Sequence, residues 1–249
     1  MSELTTLTVD GNIARLTLCR EDKRNALSIP MLKSLHGRLD ELIIRNDVSV
    51  CVLTGAGKSF CAGMDLRAII GEPGAAAELL GSLAEATLKL RGLEAAVIGR
   101  INGAAIGGGC GLVAVCDMAI THPDAKLGYP EVDLGVCPAV VAPWLVESIG
   151  AGAARRVLLQ GGVMSGAEAY DLGLVSALAD ASELDAAVDD LANHLAAAGP
   201  KALKATKRLL NELNGDHVAA AVRRGAAISA EIVEGEEAQT RLRKTFGID

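Results

Sequence analysis

The chain has 249 residues, half of them hydrophobic, which suits one large domain or a core domain with a helical appendage. One Trp, two Tyr and two Phe are its only aromatic residues, so the core has to be built from Ala, Val, Ile and Leu. With 24 basic against 31 acidic side chains the net charge is -7, which repels phosphate backbones; with so few stacking platforms as well, nucleic-acid binding is excluded as the main role.

Leu4 to Val9 and Ile13 to Cys19 alternate apolar and polar residues, and Asp10-Gly11 between them signals a hairpin. Ser28 precedes a helical run to about Asn46, with Leu32, Leu35, Leu39, Leu42 and Ile43 at helical spacing. Val48 to Thr54 reads as a buried strand closed by Gly55-Ala56-Gly57. Glu78 to Arg91 predicts a helix, Ala95 to Ile101 another buried strand, Gly107 to Val115 a helix and Met118 to Thr121 a short strand. From Ala139 onward the pattern predicts helices alone, near 139–149, 151–160, 165–172, 182–198, 201–213 and 216–245, with Pro200 at a helix start. Strands mixed with helices, then helices only, imply an α/β core over residues 1–198 and a C-terminal helical region over 199–249.

Cys19, Cys51, Cys61, Cys110, Cys116 and Cys137 form no C-x-x-C pair and lack zinc-finger spacing, so no metal is expected. They read as reduced thiols of a cytoplasmic protein. Met1 to Asp10 has no signal-peptide pattern, and Ile101 to Cys116 is too short and glycine-rich to span a membrane. No membrane partner is expected.

Two phosphate-binding patterns fail. Gly55-Ala56-Gly57-Lys58-Ser59 ends like a Walker loop, but Val52 stands where its first glycine belongs. Gly107-Gly108-Gly109-Cys110-Gly111 is no dinucleotide fingerprint, because Leu112 replaces the third glycine. Three consecutive glycines cost backbone entropy, so close packing or a ligand must require them. As a ligand site, the helix start would aim free N–H groups at an oxyanion. Ser59 to Leu66, after a buried strand and a glycine turn, is a second candidate donor loop. Glu131 stands among apolar, turn-rich neighbours in Gly128 to Gly135, where a carboxyl would have a raised pKa and could move protons near neutrality. Asp133 reads as exposed or structural. His36, His122, His194 and His217 have no local tie to Cys61 or Cys110, which argues against a thiol nucleophile.

Taken together, several stretches resemble the enoyl-CoA hydratase/isomerase (crotonase) superfamily. They are Asp22 to Leu27, Gly57 to Leu66, Ile101 to Cys110, Cys116-Asp117, Leu127 to Pro138 and Ala169 to Val175, and their order and spacing match as well. The resemblance implies an α/β fold, a crotonase-like spiral of strand–strand–helix repeats with a C-terminal helical trimerisation region, assembled as a homotrimer or a dimer of trimers. It implies an acyl-CoA substrate and no separate cofactor. By position, the N–H groups of Met64 and Gly108 would form an oxyanion hole and Glu131 would be the acid/base. Lys23, Arg24, Ala26, Ala62, Asp65 and Leu66 would hold the CoA, with further charge from Lys58 and from Arg243 or Lys244 of a neighbouring subunit. Gly111, Leu83, Pro130 and Leu134 would line the acyl pocket, with Ile69, Leu79 and Leu80 nearby.

The sequence departs from the family's two-glutamate pattern at Gly111, where the first glutamate would stand. A single base is enough for Δ3,Δ2-enoyl-CoA isomerisation. The wider pattern is similar to single-glutamate bacterial hydratases of the methylglutaconyl-CoA type, for which Arg67 or Arg91 would face a substrate carboxylate. Hydratase, isomerase and a weakly active acyl-CoA-binding scaffold all stay open at this point.

Overall fold

A computed structural model describes residues 3–215 and 217–248; Met1-Ser2 at the amino end, the expected helix start at Asp216, and Asp249 lie outside these residues. The chain opens with β1 (Thr5–Asp10) and β2 (Ile13–Leu18), an antiparallel hairpin in which Gly11 takes a positive φ of 56°. Next comes α1 (Ile29–Ile43), where the Ser28 hydroxyl accepts the Met31 N–H at 3.3 Å and Pro30 occupies the first turn. Its buried face is Met31, Leu32, Leu35, Leu39 and Leu42.

Three strand–strand–helix turns follow. They are β3 (Val50–Gly55), β4 (Ser59–Cys61) and α2 (Ala75–Gly92); then β5 (Ala96–Ile101), β6 (Ala104–Ile106) and α3 (Gly108–Val115); then β7 (Met118–Thr121), β8 (Lys126–Gly128) and α4 (Ala142–Gln160). Each turn gives its first strand to one parallel stack and its second to another. Two more short strands, β9 (Val163–Ser165) and β10 (Ala177–Leu178), surround α5 (Gly166–Asp171). The larger sheet runs β1-β2-β3-β5-β7-β10, and the smaller runs β4-β6-β8-β9. This is the spiral that the resemblance implies.

The remaining helices are α6 (Leu184–Ala196), α7 (Pro200–Asn214), α8 (His217–Glu234) and α9 (Glu236–Phe246). Helix α6 covers the outer face of the larger sheet. Its Leu184, Val188 and Ala192 pack on Val50, Val52, Ile98 and Ile120, while Cys51, Leu53 and Val97 face the main core. Burial on both faces explains the unbroken apolar runs of β3 and β5.

The sequence pattern predicted helices alone after Ala139, but two short strands, β9 and β10, interrupt them. β9 pairs antiparallel with β8, and β10 pairs parallel with β7. Segments of two or three residues are too short to register as periodicity. The two helices expected at 139–149 and 151–160 are both present within α4, and they meet at Gly150, whose φ of 77° and ψ of 156° no helix contains. The long helix expected at 216–245 is two helices, because Gly235 is extended (φ -68°, ψ 153°).

Candidate active site

A cavity of about 830 Å³ opens between the 22–26 loop, the 62–68 loop, the start of α3, the 130–141 segment and residues of α2, α8 and α9. Local bonding fixes its loops. Asn25 is fully buried in the left-handed region (φ 57°), which Asn tolerates better than most residues. Its side-chain oxygen accepts the Arg20 N–H at 2.9 Å, and its amide nitrogen donates to the Ala56 and Ser59 carbonyls, each at 2.9 Å. Arg20 donates to the Ala26 carbonyl at 3.1 Å and pairs with Asp65 at 2.7 Å. These bonds clamp the 20–26 loop to the 62–66 loop.

Leu27 bridges that second loop from one side. Its N–H donates to the Gly63 carbonyl at 2.7 Å, and its carbonyl accepts the Asp65 N–H at 2.8 Å. A parallel bridge of this kind turns the N–H of the intervening Met64 the other way. Met64 N–H donates to no other group among the described residues, and Met64 lies on the cavity wall. Gly63 has a φ of 90°, and a Cβ there would stand 2.6 Å from the Ile106 carbonyl oxygen and 3.7 Å from the Gly108 nitrogen. The two glycine-bearing loops therefore meet. Gly108 begins α3, so its N–H has no partner within the helix.

Glu131 faces the same junction. Gly107 has a φ of 52°, and a Cβ there would lie 2.9 Å from Glu131 Oε1. Glycine at 107 thus makes room for the carboxyl. Glu131 Oε2 is buried with no hydrogen-bond partner, and burial raises the group's pKa to about 7. The Glu131 backbone is held by Leu134 and Val136, whose N–H groups donate to its carbonyl at 3.0 and 2.8 Å. Asp22 and Asp65 are the other acidic residues on the wall, and Asp65 is already paired with Arg20. Among the described residues no group of three His, Cys, Asp or Glu side chains converges on a metal-sized point.

The cavity collects most of the residues singled out by sequence: Lys23, Arg24, Ala26, Ala62, Met64, Asp65, Leu66, Arg67, Leu80, Leu83, Gly108, Pro130, Glu131 and Leu134. Gly111 is a correction. It is buried behind the wall, where a Cβ would overlap Val141 Cγ1 and stand 2.9 Å from Val141 Cβ. Val141 covers that position and lines the cavity in its place. Ile69 and Leu79 belong to the buried core, and Lys58 is off the wall. Arg91 is also elsewhere, 5.6 Å over the Trp144 ring and paired with Glu147 at 3.0 Å. Helix α9 packs on its own chain: Leu242 is fully buried, the Gln239 side chain accepts the Gly71 N–H at 3.2 Å, and Arg243 Nη2 lies 3.1 Å from where a Gly71 Cβ would be. Phe246, Ser229 and the wall from Val136 to Val141 were not singled out as pocket residues by sequence. Helix-to-loop packing brings them there, and no local motif marks it.

The buried thiols are poor nucleophiles, since burial raises Cys51, Cys61 and Cys110 to about 12. Ala56 to Lys58 form the turn between β3 and β4, and a strand rather than a phosphate-cradling helix follows it. A family model for enoyl-CoA hydratase/isomerase matches residues 8–241. The chain belongs to the enoyl-CoA hydratase/isomerase family. It is 32% identical to the Escherichia coli 2,3-dehydroadipyl-CoA hydratase over 216 residues, covering 85% of this chain and 83% of that protein. It is 33% identical to the Clostridium acetobutylicum short-chain-enoyl-CoA hydratase over 207 residues, covering 81% and 78%. Its fold superposes on the crystal structure of an enoyl-CoA hydratase/isomerase from Mycobacterium paratuberculosis with a TM-score of 0.90, at 25% identity and covering 98% and 99% of the two chains. In this cavity Val141 lays an apolar cover over Gly111. No helix among the described residues is long and apolar enough to cross a membrane.

Proposed function

We propose that the protein hydrates a 2-enoyl-CoA thioester, with Glu131 as its acid/base and the Met64 and Gly108 N–H groups as its oxyanion hole. The observation that carries this reading is the buried, unpartnered Glu131 Oε2 beside the junction of the Met64 and Gly108 loops. The Glu131 carboxylate takes a proton from water as the water oxygen bonds the β-carbon. The π electrons move onto the thioester oxygen, where two N–H donors stabilise the negative charge more than the neutral carbonyl. Glu131 then returns its proton to the α-carbon, and the enolate collapses to the 3-hydroxyacyl thioester. A carboxyl with a pKa near 7 is matched to both halves of this cycle. Lys23 and Arg24 at the cavity mouth would meet the CoA phosphates. The two relatives described above are named as hydratases of enoyl-CoA esters, which supports this reading.

One observation favours a second reading. Val141 occupies the space beside Gly111, so the cavity offers one well-placed carboxyl, and one is enough for a Δ3,Δ2 double-bond shift. A substrate with a distal carboxylate, as in the methylglutaconyl-CoA type, would find its cation in Arg67, which lies on the wall. Exposed Leu209, Leu210 and Leu213 on α7 give the protein an apolar surface suited to trimer formation, which light scattering would test.

Two absorbance assays separate the readings. A hydratase removes the conjugated thioester band of a 2-enoyl-CoA, and an isomerase generates it from a 3-enoyl-CoA. Binding of both esters without turnover would leave only a scaffold. Glu131→Gln should lower kcat by about 10²–10⁴-fold while still binding the ester; near-full turnover in that variant would exclude Glu131 as the acid/base.

A further inference from the structure

Ser229 is fully buried on α8, yet it reaches the cavity. Its hydroxyl donates to the Cys137 carbonyl at 2.7 Å and accepts the Ala139 N–H at 3.2 Å. One helical turn earlier, Gly225 lets α8 close on the same segment. A Cβ at 225 would overlap the Ala139 carbonyl oxygen, 2.6 Å from its carbon and 3.1 Å from the Val140 nitrogen. The segment between Leu134 and Ala142 has no sheet ladder to hold it. It nevertheless supplies Val136, Cys137, Pro138, Val140 and Val141 to the cavity wall. Irregular backbone of this kind keeps one position only where other groups satisfy and pin its polar atoms.

We propose that Ser229 is a specificity-determining positioning residue, whose hydroxyl fixes the Cys137–Val141 wall and so sets the size of acyl group the cavity accepts. This rests on the acyl-CoA reading above. Ser229 does not touch the reacting atoms; it acts through the wall. Helix α8 lies outside the strand–strand–helix core, so the C-terminal region would share in choosing the substrate. Losing the hydroxyl frees the Cys137 carbonyl and the Ala139 N–H, and the wall gains room to yield to longer or bulkier chains.

The test is kcat/KM for straight-chain 2-enoyl-CoA esters of four to ten carbons, measured on the wild type, Ser229→Ala and Ser229→Cys. The ratio of long-chain to short-chain kcat/KM should rise about fivefold or more in Ser229→Ala, within what a methylene is worth in an apolar pocket. The change should fall mainly on KM. Ser229→Cys, which keeps the volume and a weak donor, should move the ratio the same way by less, and it decides the matter if the alanine variant fails to fold. An unchanged ratio, or an equal loss at every chain length, would overturn the proposal, since a purely structural role lowers all substrates together. A wild type that neither binds nor converts any of these esters would instead remove the functional reading and this inference with it.

Discussion

Replacing Gly111 by Ala tests whether Val141 is the reason this position carries no side chain. Gly111 sits in the interior of α3, where Ala is favoured over Gly by about 1 kcal/mol. Against that stands the overlap of a Cβ with Val141 Cγ1, in a wall where Val141 is only 2% exposed. Overpacking of this kind typically costs about 1–3 kcal/mol, so Gly111→Ala should leave the protein between neutral and about 2 kcal/mol less stable. Val141→Ala alone removes two buried methyl groups, about 1.6 kcal/mol of transfer energy before any cavity cost. In that background the Cγ1 overlap is gone and only the 2.9 Å approach to the Cβ of residue 141 remains, so Gly111→Ala should be neutral or stabilise by up to about 1 kcal/mol through helix propensity. The two substitutions should therefore couple by about 1–2 kcal/mol, read from urea unfolding of wild type, both single variants and the double variant. Equal effects of Gly111→Ala in the two backgrounds would refute the steric account. The same logic extends to catalysis: Gly111→Glu should be tolerated better with Val141→Ala than alone, and that pair tests whether a carboxylate at 111 can reach the site.

The burial that raises Glu131 to about 7 also makes stability depend on pH. Between the usual carboxylate value of 4.5 and 7 the folded state holds a proton that the unfolded state has lost, so stability falls as pH rises through that window. Glu131→Gln should be more stable than the wild type at pH 8 by up to about 3 kcal/mol, and lose that advantage near pH 4; a pH-independent difference would show that the carboxyl ionises freely. Asp117→Ala should cost about 3–5 kcal/mol in thermal or urea unfolding, because it strands the Lys207 ammonium, now 2.7 Å from Asp117 with its side chain only 7% exposed. The exposed Arg15–Asp189 pair is the control, and Asp189→Ala should cost under about 1 kcal/mol. In the native protein an aromatic disulfide reagent should label the half-buried Cys19 and Cys137, and reach Cys51, Cys61, Cys110 and Cys116 only on unfolding; rapid labelling of all six would contradict their burial.

The sequence alone determined much of this protein. The apolar runs of β3 and β5 marked buried strands because both their faces are covered, and Ser28 marked the start of α1 because its hydroxyl caps the helix. The glycines at 107–109 and the Glu131 segment were legible because backbone geometry that few residues tolerate leaves a local trace. The strands β4, β6, β8, β9 and β10 left none, since two or three residues cannot show a period of two, and only their pairing across the smaller sheet or at the edge of the larger one defines them. Tertiary structure also decided what fills the space at Gly111. A missing side chain in the sequence looked like a gap in the acyl pocket, but Val141, thirty residues on, closes it. Likewise Ser229 and Phe246 reach the cavity only because α8 and α9 fold back over their own chain. Local chemistry writes caps, turns and burial patterns into neighbouring residues, whereas the shape of a cavity depends on which distant surfaces pack together.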